Sequence, residues 1–384
     1  MVKSFVIRTD RRPRAEKGFT LIELLVGSAV MLVAILAALE LYSRSNKVAV
    51  DQQQYAEIQH DVRTSMYLIS RDLRMAGVGL PQEFAMYSLE GTDNEIQGAG
   101  VTTPDRLRIM GNIEDPLDLK IHSYQGQPSS DTLDLENFSF EQYPYLDGYY
   151  TNKFVLVLPN PASACLAAEV RVVDNVASHT GGTTEQLNFL SGLAPGVILP
   201  GGLLGTCTDE SNYVGGSVTF IEVIEYWLDL TGDADDFGLT DGVNGYIGEG
   251  VGGVLYMTRN GVHNALAQNI ENLQFEYNGD FDNANGNMDG FRPWEKALDG
   301  VTSEIWDLDM ISRIRQVRIW VLGRTPNRVL NVSGRPTGGI HIYRRPAVSN
   351  TTADTVDDRC KRFLMNSTAN VRNLSLNIYN LGVR

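Results

Sequence analysis

Between Phe19 and Leu39 the chain reads FTLIELLVGSAVMLVAILAAL, 21 residues in which Glu23 is the only charged side chain. A carboxylate in such a run costs up to about 2.5–3.5 kcal/mol towards the centre of a membrane-spanning helix. Glu23 therefore needs a partner or a task. Other chemistry-bearing residues promise less. The five histidines, His60, His122, His179, His263 and His341, are scattered and show no His-Glu-x-x-His or other ligand spacing. No Gly-x-Ser-x-Gly, Walker loop or dinucleotide fingerprint occurs. With 47 acidic residues, carboxylate pairs arise by chance. No enzyme is expected.

Two loops are rich in oxygen ligands. Asp280, Asp282, Asn285, Asn287 and Asp289 precede Gly290, and Asn285-x-Asn287-x-Asp289-Gly290 resembles the front of a calcium loop. Its closing glutamate is missing: the twelfth position from Asn285 is Lys296, with Glu295 beside it. Asp229, Asp233, Asp235, Asp236 and Asp241 make up the second loop. Solvated turns favour the same residue types, so calcium (Ca2+) and plain turn both stand, and no other cofactor is expected. Among the three cysteines, Cys165 and Cys207 would form a disulfide across a long loop if the body lies in an oxidising compartment, leaving Cys360 over. Alternatively all three serve as small apolar residues.

These residues have to be placed by the elements around them. At about 1.5 Å per residue the 21-residue run spans roughly 30 Å, enough to cross a bilayer. Residues 1–18 carry six basic side chains against two acidic ones, and the rest of the chain has a net charge of −19 out of the total −15. The basic leader stays cytoplasmic and the acidic body crosses, giving one span and a large extracytoplasmic domain. A body this acidic repels phosphate backbones, so no nucleic-acid binding is expected. A secretory signal would end in a small-residue cleavage site, whereas this run ends in Glu40-Leu41-Tyr42. Arg11-Arg12 is a weak match to a twin-arginine signal. A plain anchor explains the length and orientation but leaves Glu23 unexplained.

The stretch Lys17-Gly18-Phe19-Thr20-Leu21-Ile22-Glu23-Leu24 resembles the prepilin processing motif of type IV pilins and type II secretion pseudopilins. The resemblance implies that a prepilin peptidase/N-methyltransferase cuts between Gly18 and Phe19 and methylates the new Phe19 amine. Glycine suits a scissile position because it has no side chain. The methylated amine keeps its charge. Glu23 is one helical turn along, at the depth to neutralise a neighbour's Phe19 amine or its own during assembly.

No proline occurs between Pro13 and Pro81, and Tyr55, Ile58, Val62, Met66, Ile69, Leu73 and Ala76 recur at helical spacing. Glu57, His60, Arg63, Arg71, Asp72 and Arg74 are expected on the opposite face. Gly77 and Gly79 offer C-caps before Pro81. One helix of about 55 residues, roughly 80 Å long, is predicted. Beyond it, strands are predicted at Arg106–Met110, Phe154–Leu158, Val170–Val173, Val218–Asp229, Gly253–Arg259, Leu273–Tyr277, Ile311–Leu322, Ile340–Tyr343 and Leu374–Tyr379. They are antiparallel by expectation, since strands and helices do not alternate. The fold class is α+β, pilin-like: a long N-terminal helix packed on an antiparallel sheet. The organisation reads as a leader over 1–18, a transmembrane and filament-core helix over 19–42, and its amphipathic continuation over 43–80. A loop-rich β region over 81–215 and a regular β-rich region over 216–384 follow.

Four later segments, Tyr226–Asp229, Leu255–Arg259, Ile270–Tyr277 and Ile314–Leu322, follow in an order similar to PilW-type minor pilins and the J-type pseudopilins. That resemblance implies a subunit that primes type IV pilus assembly and sits at the tip, with other minor pilins, the major pilin and the assembly platform as partners. Its place would be the inner membrane with a periplasmic C-terminal domain, then the extracellular pilus. A type II secretion pseudopilin or a membrane-tethered adhesin using residues 81–215 are the alternatives.

Overall fold

The computed structural model describes residues 18–80, 88–92, 104–113, 118–127, 130–136, 150–163, 169–178, 185–190, 210–229, 253–281, 287–294, 311–326, 346–349 and 360–371. Two units emerge, divided between Gln53 and Gln54 along the described part of the chain.

Helix α1 runs Leu21–Met75 without interruption, as the absence of proline allows. Within the first unit every described residue from Gly18 to Val50 is exposed. In the second unit the same helix becomes amphipathic: Ile58, Val62, Met66, Ile69, Leu73 and Ala76 are buried along one stripe. It stops where Gly77 turns to φ 75°, a conformation that costs other residues energy. The Gly77 amide then donates to the Met110 carbonyl at 2.9 Å, and the Asn112 amide to that of Val78 at 2.7 Å. Asp72, expected on the solvent face, is instead buried. It lies three residues after Ile69 and four before Ala76, on the flank of the apolar stripe. There its carboxylate accepts from the Tyr226 hydroxyl at 2.6 Å and from Arg71 Nε at 2.7 Å. Burial first, and then the Asp72 charge, push the Tyr226 hydroxyl's pKa up, so it stays a donor.

The strands are β1 (Leu89–Thr92), β2 (Arg106–Gly111), β3 (Asp118–Gln127), β4 (Ser130–Leu135), β5 (Phe154–Leu158) and β6 (Glu169–Ser178). They continue with β7 (Glu185–Phe189), β8 (Ser217–Asp229), β9 (Gly253–Arg259), β10 (Val262–Gly279), β11 (Ile314–Arg324) and β12 (Arg362–Asn370). All their pairings are antiparallel, as expected. The predicted strand Ile311–Leu322 begins later, at Ile314, because Ile311–Arg313 turn helically. Predicted strands Ile340–Tyr343 and Leu374–Tyr379 lie outside the described residues.

Two arrangements meet on β8. Its second half pairs with β2, from Glu222 opposite Gly111 to Tyr226 opposite Leu107, and with β9 on its other side. Strands β1, β2, β8, β9, β10, β11 and β12 thus form one sheet. Val317, Ile319 and Val321 on β11 join the helix residues in a common core, the alternation that their spacing predicts. The helix passes so close to β11 that a Cβ at Gly323 would come within 2.5 Å of Ile58 Cγ2 and 2.8 Å of Val62 Cγ2.

The first half of β8 pairs with β3 on one side and β5 on the other. Strands β3–β4, β4–β7, β7–β6 and β6–β5 pair in turn, so six strands close a ring. Strands β3 to β7 therefore fold as an insertion between β2 and β8, which are themselves hydrogen-bonded neighbours. These described strands, most of them within the segment 81–215 that the sequence reads as a loop-rich β region, form a small barrel with its own core of Ile121, Leu133, Val155, Val157, Leu187 and Phe220 among others. Strands β3, β4 and β7 are mostly polar, which hides them from a search for apolar runs, whereas β5 is a continuous apolar run. Inside, Glu169 and Arg171 pair at 2.8 Å, and Glu169 also accepts from the hydroxyls of Tyr124 at 2.8 Å and Tyr213 at 2.6 Å.

Candidate functional site: the start of helix α1

Gly18, Phe19 and Thr20 lie outside the helix, which begins at Leu21. Two features of the sequence impose that start. Thr20 occupies the N-cap position, and Glu23 stands three residues on, the spacing of a capping box. The Glu23 amide donates to Thr20 Oγ1 at 3.3 Å. In return Glu23 Oε2 accepts from the Thr20 amide at 3.0 Å and from Thr20 Oγ1 at 3.0 Å. The carboxylate thus satisfies donors that the first turn would otherwise leave open, at the end of the helix whose dipole favours negative charge. Sequence reading treated Glu23 only as a counter-charge and missed Thr20. The signal was present as Thr-x-x-Glu directly before an apolar run.

Around the Gly18–Phe19 bond the described residues leave the chain open. Phe19 is 87% exposed. Among the described residues, a Cβ built on Gly18 would meet nothing within 4 Å. Nothing described in this chain demands glycine there, so a requirement for glycine has to come from whatever acts on the bond. Among the described residues nothing covers this peptide bond, and a fixed carboxylate stands close to its C-terminal side. Further along, α1 is long and apolar enough to cross a membrane, by length and composition. The apolar run closes at Glu40, whose carboxylate pairs with Arg44 one turn on.

The other candidates are less assembled. Asp280, Asn287 and Asp289 of the acidic turn are described, whereas Asp282 and Asn285 lie outside the described residues. Asp289 Oδ2 accepts from the Phe281 amide at 2.7 Å and stands 3.9 Å from Arg292, contacts that close the turn. Asp280 Oδ1, by contrast, is buried with no hydrogen-bond partner. Among the described residues no three His, Cys, Asp or Glu side chains come together as a metal site. In the second loop Asp229 is buried at the end of β8, and its other four aspartates lie outside the described residues. So do Cys165 and Cys207, while Cys360 is fully buried.

Residues 13–39 match the prokaryotic N-terminal methylation motif. A segment of the chain is 34% identical over 62 residues to the pilin-like protein PilA3 of Thermus thermophilus. This covers 16% of the present chain and 27% of that relative, so the chain spans about a quarter of the relative's length. A solved type IV-like pilin from Thermus thermophilus aligns over 59% of this chain and 87% of its own, at 11% identity. Its TM-score of 0.18 is too low to carry the fold, which rests on the strand pairings above. The motif and the capped apolar helix that it begins are similar to those of type IV pilin-like proteins.

Proposed function

We propose that this chain is a minor pilin of the PilW type that primes assembly of a type IV pilus and sits at its tip. The observation that carries the reading is the methylation motif, whose described part takes in the non-helical residues 18–20 and the exposed first turns of a 55-residue helix. A peptidase/N-methyltransferase at the membrane surface cuts between Gly18 and Phe19, and Phe19 keeps a methylated, cationic amine. Glu23 offsets that cation when the helix leaves lipid for the filament core, where an unpaired charge is costly. The four segments similar to PilW-type proteins lie in order on β8, β9, β10 and β11, consecutive neighbours in one sheet. Other pilins and the assembly platform are the expected partners, and the body is expected in the periplasm before assembly.

Replacing Glu23 by alanine tests the reading: processing is retained and incorporation into filaments is lost, whereas normal incorporation would contradict the role given to Glu23. Deleting the gene separates the pilus reading from that of a type II secretion pseudopilin. Loss of piliation with normal enzyme secretion favours the former, and the reverse phenotype the latter. The acidic turn is a separate proposal, supported by the unpartnered buried Asp280 Oδ1: calcium binds among Asp280, Asp282, Asn285, Asn287 and Asp289. A calcium-dependent rise in melting temperature supports it, and an unchanged melt removes it.

A further inference from the structure

The half of α1 that packs on the sheet also has an outer face. His60, Arg63, Tyr67, Arg71 and Arg74 recur every three or four residues, so they line one stripe of the helix. All five are exposed, with Glu57 at the edge of the stripe. Tyr67 is 67% exposed, and among the described residues from Gln54 to Met75 it is the one large hydrophobic side chain so open. Arg71 Nε donates to Asp72, yet about half of the Arg71 side chain stays in solvent. Tyrosine and arginine are the residue types that carry interface energy, and a guanidinium only donates hydrogen bonds. The stripe therefore fits a surface rich in anionic acceptors.

The barrel carries such a surface. The segment from Asp118 to Leu190 has nine acidic side chains and three basic ones, and inside it Glu169 and Arg171 neutralise each other. On β4, Leu133 and Leu135 enter the barrel core, which turns Asp134 outward. On β7, Leu187 and Phe189 do the same for Gln186 and Asn188. Donors on this outer face are directed along it. Gln186 Nε2 and Ser123 Oγ donate to Asp134 at 3.1 and 2.6 Å. Asn188 Nδ2 donates to Asn175 Oδ1 at 2.6 Å, and Asn175 Nδ2 to Asp174 Oδ2 at 3.0 Å. Two rows of side chains thus pin the Asp134 and Asp174 carboxylates, and Glu136 stands exposed just beyond β4. Pinned carboxylates suit guanidinium donors.

We propose that the α1 stripe of one copy docks on the barrel face of a second copy. Both halves of the complement belong to this chain, whereas any other partner would have to bring carboxylates of its own. The inference rests on the membrane-anchored reading above. Copies held through α1 in one bilayer share an orientation and a high local concentration, so a modest electrostatic contact suffices. The contact is heterologous. Each pair leaves one stripe and one barrel unoccupied, so copies add in series, as a subunit that primes a filament requires.

The test uses the full-length chain carrying Tyr67→benzoylphenylalanine, with 14N and 15N copies mixed in phosphatidylcholine vesicles and irradiated. Mass spectrometry should find residue 67 of one isotope joined to β3, β4, β6 or β7 of the other. An adduct within one isotope, one confined to α1 of the second copy, or none overturns the proposal. Arg74→Glu or Asp174→Lys alone should lower the adduct yield roughly tenfold, since like charges then meet. Both changes in one chain should restore it, which shows that the single variants lost the contact and not the fold. An unchanged yield in the single variants overturns the proposal as well. In producing cells, a photoadduct holding a different protein in place of a second copy overturns the choice of partner. The processing reading fails separately: a chain that keeps Met1 yet gives the adduct sinks that reading and leaves this contact standing.

Discussion

The sheet beneath α1 and the inserted barrel share one strand but are held together by different means. On the helix side, β8 contributes Ile224, Tyr226 and Leu228 to a core of long aliphatic and aromatic side chains. A buried carboxylate there, Asp72, is linked to Tyr226 and Arg71. On the barrel side, the same face of β8 contributes Val218 and Phe220, but the interior also encloses a Glu169–Arg171 ion pair and two tyrosine hydroxyls. Twelve of the thirteen residues of β8 are buried, because it has a core on each face for much of its length. The comparison shows how a large insertion is tolerated. It enters and leaves between two paired strands, so the helix-bearing sheet keeps its own register.

The comparison breaks first at Glu169. Removing it as Glu169→Ala leaves the Arg171 guanidinium buried without its anion, a loss of about 3–5 kcal/mol. Hydrogen exchange should then rise across β3 to β7 while β10 and β11 stay protected. A uniform loss of protection would mean that the two regions unfold as one. Next comes the helix side, where Leu73→Ala should cost about 2–5 kcal/mol by opening a cavity. Its signature is faster exchange in β10 and β11 before the barrel. A smaller effect is expected for Gly323→Ala, about 1–3 kcal/mol, as the new methyl is driven into Ile58 and Val62. Equilibrium unfolding in urea measures it, and a neutral result would show that the helix can move away from β11.

The smallest effect concerns the polar face of the sheet. Burial raises the Glu225 carboxyl, but Arg108 and Arg106 outweigh it and hold it below the usual carboxylate range. A depressed carboxyl contributes stability that is present above its unfolded value and lost as pH falls through its lower folded value. Glu90, paired with Arg108 at 2.6 Å, moves the other way because burial dominates; it works against the ionised sheet and relieves it on acidification. Stability of the wild type should therefore fall on the acid side through Glu225, and Glu225→Gln should flatten that limb. An unchanged acid limb in the variant would count against the arginine pair as its cause.

Legibility in the sequence follows the same division. The 55-residue helix could be read because a proline-free run with apolar residues every three or four positions has few alternatives. Phe154–Leu158 and Gly253–Arg259 were legible to the residue, since a continuous or alternating run of large side chains marks a buried strand. Strand β10 was read only at Leu273–Tyr277, although Asn260-Gly261 announces the tight hairpin from which it starts at Val262. The barrel strands Asp118–Gln127 and Ser130–Leu135 are mostly polar, and ring closure is a long-range pairing that no local pattern records. At the candidate site, Gly18, Phe19 and Glu23 could be read from type and spacing. The N-cap partner of Glu23, Thr20, was legible too, as Thr-x-x-Glu before an apolar run, but the counter-charge reading of Glu23 passed over it.

Intact mass and N-terminal sequence of the chain recovered from cells that carry the peptidase test the central claim most directly. The account predicts a start at Phe19 bearing one added methyl group. A chain that retains Met1, or begins at any residue other than a methylated Phe19, would contradict it.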